Sequence, residues 1–108
     1  MNYKVLIADD NPLICKSLRE TIHWKKYQCT VVQCAENGKE AWNLITQLKP
    51  EIVITDIKMP EMDGLELIRT LKEKNYPGEI LVLSNYEDFD SVRSALLLGA
   101  ADYLLKIK

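Results

Sequence analysis

The sequence predicts an α/β domain built on a parallel, doubly wound sheet. Three observations carry this prediction. Five short apolar runs recur, most of them rich in Val, Ile and Leu without strict alternation, as strands covered on both faces are. Four longer amphipathic runs lie between them. Polar and charged residues cluster at the ends of the apolar runs, on the edge where such sheets bind ligands.

The first run is "YKVLIA" (residues 3–8), and Asn11-Pro12 then opens a helix, with Asn as N-cap and Pro at the first helical position. Leu13, Ile14, Leu18 and Ile22 form its apolar stripe to about Trp24. "TVVQCA" (30–35) is the second strand. Asn37 and Glu40 cap the second helix, Ala41, Leu44, Ile45 and Leu48 share one face, and Lys49-Pro50 stops it. "EIVIT" (51–55) is the third strand. Asp63 and Glu66 have capping-box spacing ahead of Leu65, Leu67, Ile68 and Leu71, and "NYPG" (75–78) closes that helix. "EILVLS" (79–84) is the fourth strand. Asp88 is expected to cap the fourth helix, with Val92, Ala95 and Leu96 inside it and Gly99 ending it. "DYLLK" (102–106) is the fifth strand.

Strands alternating with helices imply right-handed crossovers in one sheet. Five strands suit the flavodoxin-like order 2-1-3-4-5, with its ligand crevice between strands 1 and 3.

A chain of 108 residues, 47% hydrophobic, is sized for one domain with one core. Its net charge of −2 and lack of a basic patch argue against direct nucleic-acid binding. That leaves open a DNA-binding domain elsewhere in a longer protein. No apolar run approaches the roughly 18 residues that cross a membrane, and "MNYKVLIADD" does not read as a signal peptide. Cys15, Cys29 and Cys34 are odd in number and lack Cys-x-x-Cys spacing, which predicts reduced thiols in a cytoplasmic protein.

The strand ends carry the chemistry. Strand 1 delivers Asp9 and Asp10, strand 3 Asp56, strand 4 Ser84 and strand 5 Lys106. Adjacent carboxylates repel, and a divalent cation relieves that repulsion. Hard oxygen ligands suit Mg²⁺, which takes one or two carboxylates and shares a phosphate. Ser84 can donate a hydrogen bond to a phosphoryl oxygen, and Lys106 supplies fixed positive charge. These are the parts of phosphoryl transfer, and a carboxylate can serve as its nucleophile. Asp56, alone at the centre of the sheet, is the candidate.

"LIADD", "IVITDIKMPEMDG", "LVLS" and "GAADYLLK", in this order, resemble the receiver domain of bacterial two-component response regulators along the whole chain. "LSNYEDFDSVRSALLLGAADYLLK" and "IHW" (22–24) are most similar to receivers that precede an AraC-type helix-turn-helix output. The resemblance implies a switch that controls an output domain, with transcription as the expected output. Asp56 would accept a phosphoryl group from a phosphohistidine on a sensor histidine kinase. Asp10 would bind Mg²⁺ directly, Asp9 largely through water, and the Lys58 backbone carbonyl would be the third protein ligand. Ser84 and Lys106 would bind the phosphoryl group. Ser84 would move toward it and let Tyr103, the switch aromatic, turn inward, remodelling the face of helix 4 and strand 5. Such a domain is no enzyme in the ordinary sense, although it assists its own phosphorylation and dephosphorylation.

Three features depart from the pattern. Ile107 follows Lys106 where the family has Pro, often cis. A non-proline cis bond costs about 2.5–4 kcal/mol, so a trans bond is expected. Asn85 follows Ser84 where a small residue is common, and is expected to narrow access to Asp56. Receivers also continue into a fifth helix, whereas this chain, read as one receiver domain over 1–108, stops after strand 5. The bare face predicts self-association, including a homodimer, or a partly unstable monomer.

Plainer readings stand beside these. Asp9 and Asp10 alone would be an ordinary loop start, and Tyr103 alone a half-buried strand aromatic. Met59 and Met62 read as loop packing, Trp24 and Trp42 as core-edge residues, the Lys58 side chain as solvated, and His23 as neither ligand nor phosphocarrier. An aspartate-nucleophile phosphatase of the haloacid dehalogenase type wants a second Asp where Lys58 stands. An FMN module wants a Ser/Thr/Gly-rich loop where "DDNPLI" stands. The remaining alternative is a receiver-like protein-binding module that acts without phosphorylation.

Overall fold

The computed structural model describes residues 2–85 and 87–106. In chain order the elements are β1 (Tyr3–Ala8), α1 (Pro12–Thr21), a 3-10 turn (Trp24–Tyr27), β2 (Cys29–Ala35), α2 (Gly38–Leu48), β3 (Ile52–Asp56), α3 (Gly64–Glu73), β4 (Glu79–Ser84), α4 (Phe89–Leu98) and β5 (Asp102–Leu105). The five strands pair in parallel in the order β2-β1-β3-β4-β5, which is the expected doubly wound arrangement.

The absence of alternation in β1 and β3 is explained by burial on both faces. Leu6 and Ala8 of β1 join Val53, Ile80 and Val82 under α2, α3 and α4, where Ala41, Ile45, Leu67, Ile68, Leu71, Val92 and Ala95 close the core. Val5 and Ile7 face the other way, with Ile54 and Leu83, against Cys15, Ile14 and Leu18 of α1. Each large aliphatic side chain buried here contributes about 1.5–3 kcal/mol. Trp24 and Trp42 are partly buried at the margins of the two cores, as expected. Met59 is buried in the larger core, so its role is deeper than loop packing, and Met62 packs beside it.

The caps follow the sequence at three helices. Asn11 accepts from the Leu13 N–H, Asn37 from Glu40 and Asp63 from Glu66. Asp88 departs from expectation. Its Oδ2 accepts from the Asn85 N–H at 2.9 Å, so the side chain braces the loop before α4 and does not cap the helix. α1 also stops sooner than its stripe suggests. Ile22 is extended, and the Trp24 indole folds back to donate to the Leu18 carbonyl at 3.1 Å.

The pairing of β2 with β1 contains a bulge. Val5 faces Val31, but the next residue, Leu6, faces Gln33, which leaves Val32 as the extra residue. The slip reverses the parity of the strand beyond it. Cys34 therefore lies opposite Ile7 on the α1 side, and Ala35 lies under α2. There Cys34 is bonded to Cys15 of α1, with Cα atoms 6.4 Å apart, while Cys29 is free and buried. The expectation of three unpaired thiols thus holds for Cys29 alone.

Candidate functional site

Register brings the polar residues together. Ala8 is level with Thr55, and Asp56 with Leu83. Leu105 is level with Ser84, and the Lys106 N–H continues the ladder by donating to the Ser84 carbonyl at 2.8 Å. Each strand therefore reaches the same edge within about one residue of its neighbours. Asp9 leaves β1 with its N–H bonded to the Ala35 carbonyl at 2.9 Å. Alternation sends the Asp9 side chain into the sheet edge, where it is buried, and leaves Asp10 exposed.

Lys106 joins the two central strands. Its Nζ lies 3.0 Å from Asp56 Oδ2 and 3.2 Å from Asp9 Oδ2. Carboxylate oxygens of Asp9, Asp10 and Asp56 lie within 4.8 Å of one another. Asp56 Oδ1 accepts from the Ile57 N–H at 2.8 Å, and Asp9 Oδ1 from the Asn11 N–H at 2.9 Å. Burial pushes the Asp9 carboxyl above its ordinary range, and repulsion from Asp56 adds to that, against the pull of the Asn11 N–H and Lys106. For Lys106 burial pulls downward, but attraction to Asp56 and Asp9 outweighs it and holds the ammonium above its ordinary range.

Three carboxylates against one ammonium leave an excess of negative charge at a partly buried point. Asp9 Oδ2 has Lys106 as an ion-pair partner but no well-formed hydrogen bond among the described residues. A hard divalent cation fits this donor set, and Asp9, Asp10 and Asp56 are the side chains able to hold it. Ser84 is fully buried, and its Oγ has no hydrogen-bond partner among the described residues. A buried hydroxyl left unpaired is costly, and an arriving oxyanion would satisfy it.

The sequence-predicted residues thus divide. Asp9, Asp10, Asp56 and Lys106 meet, and Ser84 adjoins them at the end of β4. Lys58 is exposed in the loop after β3, and His23 is exposed beyond α1. Tyr103 stands apart on β5, 44% exposed, lining an open cavity of about 590 Å³ with Ser84, Asn85, Phe89, Val92 and Leu96. The expectation for the bond to Ile107 lies outside the described residues.

Sequence reasoning missed the supports of this site. Gly64 opens α3 by donating its N–H to the Ile57 carbonyl at 2.7 Å, and a Cβ there would collide with the carbonyl oxygen of Asp56. The glycine lets the helix start directly against the end of β3. The Asp-Gly pair is a visible turn signal, but it does not announce a contact with a residue eight positions earlier.

The profile of the response regulator receiver domain matches residues 5–107. The chain belongs to that family. As a receiver domain it is a phosphorylation-dependent switch of two-component signalling, as the resemblance implied. It is 39% identical over 104 residues to an uncharacterized transcriptional regulatory protein, YesN, of Bacillus subtilis, covering 96% of this chain and 28% of that protein. The receiver domain of AraT, a response regulator from Geobacillus stearothermophilus, superposes with a TM-score of 0.91 at 39% identity, over 98% of this chain and 82% of that one. A chain of the Borrelia burgdorferi CheX–CheY–BeF3–Mg²⁺ complex superposes with a TM-score of 0.85 at 25% identity, over 98% and 79% respectively. The receiver spans about two fifths or less of the length of the curated relatives it matches. Among its described residues no helix is long and apolar enough to cross a membrane.

Proposed function

We propose that residues 1–108 form one receiver domain whose phosphoacceptor is Asp56, served by Mg²⁺ and by a sensor histidine kinase as donor. The observation that supports this most is the Lys106 ammonium held between Asp56 and Asp9, beside three convergent carboxylates. An Asp56 carboxylate oxygen attacks phosphorus, the bond from phosphorus to the donor's histidine nitrogen breaks, and the imidazole leaves with its electron pair. Mg²⁺, when bound, neutralises charge on the transferring group. Asp9, Asp10, Asp56 and the Lys58 carbonyl are the ligands we assign to it. Lys106 pairs with the phosphoryl oxygens, and the unpaired Ser84 hydroxyl donates to one of them.

The added charge of about −2 then biases a two-state element. Ser84 is drawn toward the phosphoryl group, and Tyr103 turns from its exposed position into the cavity that the two residues share. The face of α4 and β5 changes, and a DNA-binding output domain reads that change. The name of YesN supports a transcriptional output, and the BeF3 and Mg²⁺ of the Borrelia complex fit a site of this kind. A cytoplasmic setting, a homodimer and an AraC-type output belong to the same reading. The domain is a phosphoacceptor that assists its own phosphorylation and dephosphorylation.

Intact mass after incubation with Mg²⁺ and acetyl phosphate tests the assignment. One added phosphoryl group is expected in the parent, and none in Asp56→Asn or without Mg²⁺. A folded parent that gains nothing would point to a protein-binding module that acts without phosphorylation.

A further inference from the structure

The bond between α1 and β2 lies beside the acidic edge but takes no part in phosphoryl transfer. Cys15 is buried one turn into α1, and Cys34 is half-buried near the end of β2. Their Cα separation of 6.4 Å falls within the range a disulfide spans without backbone movement. The bulge at Val32 creates this placement. In unbroken register Gln33 would stand on the α1 side and Cys34 would face α2. Bulges characteristically re-aim a side chain in this way. Cys29 faces the same core from the start of β2, yet remains free and buried.

The pair also has an entrance. Cys15 and Cys34 line an open cavity of about 390 Å³ together with Asp9, Lys16, Arg19 and Glu36. The wall mixes both signs of charge, so accessibility marks Cys34 as the entry point, ahead of the more buried Cys15. The cavity reaches Asp9, and the Ala35 carbonyl that follows Cys34 holds the Asp9 N–H. The two cysteines thus flank the turn that carries Asp9 and Asp10.

We propose that Cys15 and Cys34 are a reversible redox pair, exchanging with small disulfides such as glutathione disulfide, whose state sets how firmly α1 is tied beside the acidic edge. In the oxidising direction the Cys34 thiolate attacks one sulfur of glutathione disulfide and expels one glutathione thiolate. The Cys15 thiolate then attacks the Cys34 sulfur of the mixed disulfide and expels the second. Two protein thiols become one disulfide, one external disulfide becomes two thiols, and the protons from the protein pass to the departing thiolates. The cross-link closes a loop between positions 19 residues apart that contains the rest of α1, the 3-10 turn and most of β2. Reduction frees α1 to open from the strand.

The test equilibrates the chain with glutathione at a series of reduced-to-oxidised ratios, quenches it with acid, and alkylates it unfolded for intact mass. A reversible change between three alkylated thiols and one is expected, with Cys15 and Cys34 joined in the peptide map. Cys29→Ser should retain the bond and Cys34→Ser should lose it. Amide exchange over 12–21 should be several-fold slower in the oxidised form, and insensitive to glutathione in Cys34→Ser. Three free thiols at every ratio, pairing through Cys29, bonding only between chains, or equal exchange in the two redox states would each overturn the proposal.

Discussion

The two halves of the sheet are built to different standards. β1 and β3 are covered on both sides, and Val5, Leu6, Ile7, Ala8, Val53 and Ile54 are essentially inaccessible. β5 is exposed along its whole length, and the neighbouring α4 leaves Phe89 and Leu97 largely in solvent. Asp9 and Asp56 belong to the first half, Tyr103 to the second. Ser84 and Lys106 stand at the seam, joined by a backbone hydrogen bond. The contrast teaches a division of labour. Under the proposed function, the groups assigned to the metal and the phosphoryl group sit on strands with no room to shift, whereas the surface assigned to the change is left loosely covered.

Mutations can break this contrast at its strongest point first. Ile54→Ala opens a cavity between two packed layers and should cost about 2–5 kcal/mol by urea unfolding. Leu97→Ala, on the exposed side of α4, should change stability by less than about 0.5 kcal/mol. Comparable losses at the two positions would abolish the distinction. Gly64→Ala comes next. Its Cβ meets backbone at Asp56, so α3 or the end of β3 must shift. The expected cost is about 1–3 kcal/mol, and phosphorylation by acetyl phosphate should slow more than in a core variant of equal stability.

Asp9→Asn sharpens the account through its sign. Burial raises the Asp9 carboxyl above its ordinary range in the folded protein. Between the ordinary value of 3.8 and the raised one, the folded state therefore holds more protons than the unfolded state. Its contribution to stability is complete below that window and is lost as pH rises through it. Without metal, Asp9→Asn should be more thermally stable than the parent at neutral pH, and the advantage should shrink as pH falls toward 4. With saturating Mg²⁺ the order should reverse. Paired melting curves across that pH range read both effects. The smallest effect belongs to Tyr103→Ala, which should leave phosphorylation of Asp56 unchanged while removing the difference in surface between the two states.

Much of this was legible before the structure. β1 and β3 announced themselves because burial on both faces leaves unbroken apolar runs, and a carboxylate ending such a run has few structural uses. The parallel sheet followed from the alternation of strands and helices and its order from the five-strand doubly wound pattern, and with them the meeting of Asp9, Asp56 and Lys106. What escaped depends on register and close approach. The bulge at Val32 lies in an edge strand whose residues suit either face, so no pattern marked the slip that takes Cys34 to Cys15. Asp88 has the composition of a cap, but the neighbouring Asn85 N–H competes for its carboxylate. The contact of Gly64 with Asp56 follows from where a loop returns, which local sequence does not encode.

Hydrogen exchange on the protein with and without phosphorylation, followed peptide by peptide, tests the central contrast most directly. The division between a fixed and a responsive half predicts changed exchange from Ser84 through α4 and β5, and unchanged exchange across β1 and β3. Equal changes at residues 5–8 and 52–55, or none across 87–105, would contradict it.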